Sequence, residues 1–203
     1  MLELDHLAVV ADGLEAGRAA VEETLGVALQ PGGAHAYFGT HNLLLGLEDG
    51  LYLEVIAVDP EASDPGVTRW FDLDRMQGAP RLGNWICRSD DLEAMVARFP
   101  EAGAQVALSR GDLNWRMAVP RDGRLPFGNC FPALMQWDCA AHPAARLAAS
   151  GCRLQRLMVA HPDSAELAAQ LAPVLADERV AFEPGAPGLR AEIMTPSGLR
   201  VLE

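Results

Sequence analysis

The chain has 203 residues, with 28 Asp or Glu against 16 basic residues and a net charge of −12, so nucleic acid and anionic membranes are poor partners. Every basic residue is Arg; with no Lys, a Schiff-base, pyridoxal-phosphate or P-loop lysine is excluded. Half the chain is hydrophobic, enough for a substantial core, and with neither a long apolar run nor a basic leader a soluble, cytoplasmic protein is expected.

Residues 4–17, LDHLAVVADGLEAG, read as a short apolar strand, an acidic cap and the start of a helix. His6 alternates with Leu4, Ala8 and Val10, so it faces one side of that strand. The runs HNLLLGL and LYLEVIAV follow, on either side of Glu48-Asp49-Gly50, and Asp-Gly between two apolar runs is a hairpin signal. Residues 4–58 thus form a βαβββ unit. Glu54 lies inside an apolar strand, where a carboxylate needs a partner or a polar cleft. His41 opens its strand and is a candidate base.

Residues 59–81 are rich in Pro, Asp and Gly yet hold Trp70 and Phe71. A solvated linker seldom carries adjacent large aromatics, so this one is expected to cover something. The same grammar returns at 82–95, LGNWICRSDDLEAM, followed by AQVALS, LNWRMAVP and FPALMQWD, which makes 82–138 a second unit. After an Ala-rich linker at 139–153, LQRLMVAHPDSAEL opens a third unit at 154–202, with RVAFE, LRAEIMT and LRVL behind it. Residues 1–138 are expected to pair two units about a cleft, with 152–203 packed on them.

Each opening strand is followed by D-x-x-E: Asp12 and Glu15, Asp90 and Glu93, Asp163 and Glu166. An N-cap aspartate with a glutamate three residues on satisfies free helix amides from both sides, so helices are predicted to start at Asp12, Asp90 and Asp163. No Cys pair has C-x-x-C spacing, and G-x-S-x-G, G-x-G-x-x-G, H-E-x-x-H and EF-hand patterns are missing. No nucleotide cofactor is expected. Tyr52 and Trp115 suit an aromatic-walled pocket, and Arg116 beside Trp115 suits an anionic ligand. His35 and His142 read as surface or loop residues.

Repeated βαβββ units resemble the vicinal oxygen chelate superfamily, which includes glyoxalases, extradiol dioxygenases and the bleomycin resistance proteins. LDHLAVV, LYLEVIAV, GTHN and LPFGNCFPALMQWD are similar to its glyoxalase-like branch. The resemblance implies an α+β fold of curled mixed sheets enclosing a cleft, with a divalent metal held by the first and last strands of each unit. Carried over residue by residue, His6 and Glu54 become the metal ligands, and Asn84 and Gln136 occupy the matching places in unit two. One imidazole, one carboxylate and two amides suit magnesium or manganese better than zinc. In unit three the matching places are Arg156 and Glu192.

Two functions fit this sequence. One is metal-assisted lyase, isomerase or dioxygenase chemistry on a small molecule, with Glu54 and His41 catalytic and Tyr52, Asn84, Trp115, Arg116 and Gln136 binding substrate. The other is binding or sequestration of a small molecule without chemistry. Unit three is left with three arrangements: extending the sheet, replacing unit two in the cleft, or pairing with a second chain in a homodimer.

Overall fold

The computed structural model describes residues 1–203. The first unit runs β1 (Glu3–Val10), α1 (Leu14–Leu25), β2 (Gln30–His35), β3 (Thr40–Gly46) and β4 (Tyr52–Val58). The second runs β5 (Arg81–Arg88), α2 (Leu92–Arg98), β6 (Ala104–Arg110), β7 (Leu113–Val119) and β8 (Ala133–Trp137). Together they make one eight-stranded sheet ordered β2-β3-β4-β1-β5-β8-β7-β6. The units join where β1 runs antiparallel to β5, while β4 and β8 each lie parallel to the first strand of their own unit. The sheet curls into a half-barrel whose two edges approach each other, so that Arg110 at the end of β6 reaches Gly33 on β2.

Local chemistry accounts for the turns. Asp49 and Gly50 both take positive φ, 64° and 75°, between β3 and β4, as the tight hairpin needs. The helices begin at Leu14, Leu92 and Ser164, each within two residues of its predicted start. The caps differ from the expected box. In α2 it is Asp91, one residue later, that accepts from the Ala94 amide at 2.9 Å. The caps of α1 and α3, Gly13 and Asp163, make no side-chain bond.

Unit three comprises β9 (Arg153–Ala160), α3 (Ser164–Leu171), β10 (Val180–Glu183), β11 (Gly188–Thr195) and β12 (Gly198–Leu202). The element order repeats, but the strand order does not: β10-β9-β11-β12 forms a separate four-stranded sheet. Here the strand after the helix pairs parallel with β9, and β11 and β12 add to the other side. Pro184 and Pro187 lie in the β10–β11 connection. Without N–H groups they disfavour a hairpin there, so the chain crosses to the far edge of β9.

This sheet packs on the convex face of the large one. Trp85, paired with Leu7 across β5 and β1, meets Phe182 of β10 with ring centroids 6.3 Å apart. The Leu82 amide donates to the Glu203 carbonyl at 2.7 Å, and the Glu48 amide to the Cys152 carbonyl at 2.9 Å. One cluster of 51 buried apolar residues spans both sheets, so the two share a core. All four cysteines are free, and three of them, Cys87, Cys130 and Cys152, are buried. No helix is long and apolar enough to cross a membrane.

Candidate functional site

The concave face of the large sheet holds a pocket lined by His6, His35, Asn42, Leu44, Tyr52 and Glu54 from unit one. Trp115, Met117, Met135, Trp137 and Arg110 come from unit two, and Trp70, Phe71 and Pro143 from the two linkers. It spans about 410 Å³ of empty space and opens to solvent. The aromatic linker residues supply the cover. Trp70 and Phe71 sit in a 3-10 turn over Trp70–Arg75, where Phe71 and Asp72 take φ of 56° and 55°. Positive φ in a bulky residue is strained. The turn is held by the Asp72 amide donating to the Gly123 carbonyl at 2.9 Å.

At the floor, β1 is irregular. Leu4 pairs with Cys87 and His6 with Ile86, so Asp5 is an extra residue without a partner on β5. Such a bulge re-aims side chains. It lets consecutive residues touch: His6 Nδ1 lies 2.6 Å from Asp5 Oδ1. Asp5 is fully buried, and its other oxygen accepts from His142 Nε2 at 3.0 Å, Trp137 Nε1 at 3.0 Å and Arg88 Nη1 at 3.3 Å. Burial alone would raise its pKa. Hydrogen bonds and charge from His142 and His6 overturn that and hold it well below the usual carboxylate range. An ionised Asp5 only accepts, so His6 carries its proton on Nδ1 and turns Nε2 to the pocket. Nε2 lies 3.7 Å from Glu54 Oε2. The Tyr52 ring stacks on His6 at 4.3 Å and 13°, fixing the imidazole plane. Burial, with the charges of Asp5 and Glu54, pushes the Tyr52 phenol well above its ordinary pKa, so it stays neutral.

A second polar cluster adjoins the first. Asn42 Nδ2 donates to Glu54 Oε1 at 2.5 Å. Asn42 Oδ1 accepts from the Gly33 amide at 2.8 Å and from Arg110 Nη1 at 3.2 Å. Arg110 Nη1 also donates to His35 Nε2 at 3.3 Å, and His35 Nδ1 sits 3.1 Å from Thr40 Oγ1. Burial and then the Arg110 charge push the His35 pKa down to about 3, so His35 is neutral and its Nε2 accepts. Two glycines make the approach possible. A Cβ on Gly32 would lie 2.0 Å from Asn42 Oδ1, and one on Gly33 would lie 2.8 Å from Arg110 Cδ.

A family model described as a glyoxalase-like domain matches residues 4–175. The chain belongs to this glyoxalase-like family. The match takes in β1 to α3 and leaves β10 to β12 outside it. Among solved structures, the chain is similar to a hypothetical protein from Staphylococcus aureus, with TM-score 0.65 and 14% identity, over 93% of this chain and 88% of that one. It also matches methylmalonyl-CoA epimerase from Mycobacterium tuberculosis, with TM-score 0.43 and 20% identity, over 68% and 88%. A Streptomyces coelicolor methylmalonyl-CoA epimerase, in complex with 2-nitronate-propionyl-CoA, gives 0.42 and 15%, over 68% and 97%. The Staphylococcus aureus likeness shows the fold and nothing finer. No curated protein matches the chain.

The glyoxalase-like site brings some of the sequence candidates together and leaves others apart. His6, Glu54, Tyr52 and Trp115 all line the pocket. His41 shares its face of β3 with Leu43 and Leu45, away from Asn42, and its Nδ1 lies 3.8 Å from Asp59. Gln136 is one residue out of phase with the pocket-facing Met135 and Trp137; its Oε1 accepts from the Leu92 amide at 2.9 Å and caps α2. Arg116 alternates away from Trp115 and Met117 and pairs with Asp138 at 2.8 Å. Asn84 is buried opposite Ala8 with its Nδ2 unpartnered, outside the pocket lining. Arg156 and Glu192 pair in the other sheet, remote from His6.

Against the surface or loop reading, His35 is a buried strand residue in the pocket wall and His142 is a half-buried partner of Asp5. The signal for His35 was the glycine pair before it, which a loop reading absorbs and a close-approach reading does not. Asp5 carries no sequence signal beyond adjacency to His6, and Arg110 none beyond lying five residues before Trp115.

The ligand set expected for a divalent metal is not assembled here. No group of three or more His, Cys, Asp and Glu is placed to hold an ion. His6 Nε2 and Glu54 Oε2 are two donors. Beside them stand the Asn42 amino group, aimed at Glu54, and the Arg110 guanidinium. These are positive ends where further ligands would have to be, so the donor set does not fit a tightly held metal.

Proposed function

We propose that this glyoxalase-like protein is an acid–base enzyme that moves a proton on a small organic molecule, an isomerase or lyase in reaction class. One observation carries the reading. Asp5 orients His6 from behind at 2.6 Å, so that Nε2 meets Glu54 at 3.7 Å inside an aromatic-walled pocket. A carboxylate that fixes the tautomer of an imidazole makes its other nitrogen a positioned base. With the Nδ1–H donating to Asp5, Nε2 offers its lone pair beside the Glu54 carboxyl, so the two can take up and return a substrate proton. The proton of a C–H bond next to a carbonyl passes to this pair. Its electrons move onto the carbonyl oxygen, and the Tyr52 phenol, kept neutral, is a donor within the same wall. Return of the proton gives the isomer. No step is routed through a metal, and any ion taken up at His6 and Glu54 would be a weakly held magnesium or manganese.

A second reading, sequestration without chemistry, rests on the aromatic and apolar lining alone. One experiment separates the two. The protein is incubated in D2O with 2-oxo-4-phenylbutanoate and with 4-phenyl-2-butanone, and deuterium at the carbons next to the ketone is followed by proton NMR. Enzyme-dependent exchange that falls by about 100-fold or more in Glu54→Gln supports proton transfer. Saturable binding of either probe without exchange supports sequestration.

A further inference from the structure

The other end of the pocket has donors that meet no charged acceptor. Arg110 is the only arginine in the wall. Its guanidinium has no carboxylate oxygen within 4.0 Å, and its partners, His35 Nε2 and the Asn42 oxygen, are neutral. Arg88, outside the wall, is spent on Asp5 and Glu3. Close by, Trp70 is 4% exposed, yet its indole Nε1 has no acceptor. The Trp70 and Arg110 side chains both touch His35: the Trp70 ring at 5.0 Å between centroids, Arg110 through its 3.3 Å hydrogen bond. A half-buried cation and a buried N–H in one wall form a deficit of acceptors, and leaving such groups unpaired is costly.

We propose that Arg110 and the Trp70 indole N–H form a carboxylate subsite, so that the ligand of this pocket is a small monocarboxylic acid with an apolar or aromatic body. This rests on the proton-transfer reading of the same pocket and adds the substrate class. The guanidinium fork matches a carboxylate, and an ion pair in a partly dry pocket outweighs one at the surface. Asn42 sets the spacing. Its oxygen is on Arg110 and its nitrogen on Glu54, so a C–H one or two carbons from a carboxylate held by Arg110 comes within reach of Glu54. A phosphate dianion fits less well, because one guanidinium faces it and the buried Asp5 and Glu54 carboxylates oppose it. His35 is a positioning residue, holding the fork through its lone pair.

Calorimetric titration with matched acids and amides tests the subsite without needing turnover. The pairs are benzoate with benzamide, 3-phenylpropanoate with its amide, and 2-oxo-4-phenylbutanoate with its amide. The acid of at least one pair should bind about ten-fold or more tightly than its amide. Arg110→Gln should erase that preference and Arg110→Lys retain part of it. Trp70→Phe, which keeps the ring and removes the N–H, should weaken the acid by a few-fold and leave the amide unchanged; this variant also serves if Arg110→Gln does not fold. Equal affinity for acid and amide, an undiminished preference in Arg110→Gln, no acid binding up to about 10 mM, or tighter binding of inorganic phosphate would each overturn the subsite. Acid-selective binding without deuterium exchange would leave the subsite standing and remove the proton-transfer reading. Exchange with no acid preference would do the reverse.

Discussion

The two halves of the eight-stranded sheet share one topology and divide the chemistry unequally. Unit one supplies His6, His35, Asn42 and Glu54, all buried and all hydrogen-bonded or ion-paired within the pocket. Unit two supplies Trp115, Met117, Met135 and Trp137, with Arg110 as its one charge. Where β4 turns Tyr52 and Glu54 to the concave face, β8 turns Met135 and Trp137. Duplication of a backbone therefore does not duplicate a site. One copy holds the polar cluster for which proton transfer is proposed, and the other supplies most of the apolar wall around it. An apolar wall strengthens that cluster, because charges in a low-dielectric pocket interact more strongly than in water.

This division can be broken from either side, and the largest effect is expected in unit one. Asp5→Asn removes a buried charge that gathers four donors from β1, β5, β8 and the 139–153 linker. Loss of one member of a buried ionic cluster costs roughly 3–5 kcal/mol, read from denaturant unfolding at neutral pH. His35 adds a pH dependence of known sign. Its pKa falls from 6.5 to about 3 on folding. The stability it contributes is complete above pH 6.5 and is lost as the pH drops from there towards 3, at about 1.4 kcal/mol per pH unit. Asp5, also depressed, contributes above the ordinary carboxylate range and is lost only at lower pH. Unfolding curves of wild type and His35→Gln should therefore diverge in slope between pH 6.5 and 4.

Unit two gives smaller effects of a different kind. Gln136→Ala uncaps α2 and should cost about 1 kcal/mol with no change in ligand affinity. Arg116→Ala loses a surface pair with Asp138 and should cost about 0.5 kcal/mol or less, again with affinity unchanged. A clear affinity loss in either variant would return those residues to the pocket and blur the division.

What the sequence carries follows from periodicity. The alternation in LDHLAVV and LYLEVIAV puts His6 and Glu54 on one face, and parallel pairing of β1 with β4 brings them together. The isolated aromatics at 70 and 71 mark a cover because only burial explains them. The rest depends on features that period-two reading passes over. The bulge at Asp5 is a register event between β1 and β5, decided by packing across two units. Gln136 aligns with Glu54 by residue pattern, yet one residue of phase sends it to α2. His35 lies behind a proline and two glycines that weaken a strand signal, and their purpose shows only when Asn42 and Arg110 fill the space. The strand order of unit three turns on two prolines, while its βαβββ order reads like the others.

The chemistry proposed for this pocket requires His6 to be held by Asp5 with its Nε2 turned to Glu54. Nitrogen-15 NMR of the imidazole tests this directly, in the free protein and without a substrate. The expected result at neutral pH is a proton resident on His6 Nδ1, with the Nε2 signal altered by Glu54→Gln and the Nδ1 signal altered by Asp5→Asn. A His6 ring with its proton on Nε2 and a bare Nδ1 would contradict it, because such a ring cannot donate to Asp5 and offers no base to the pocket.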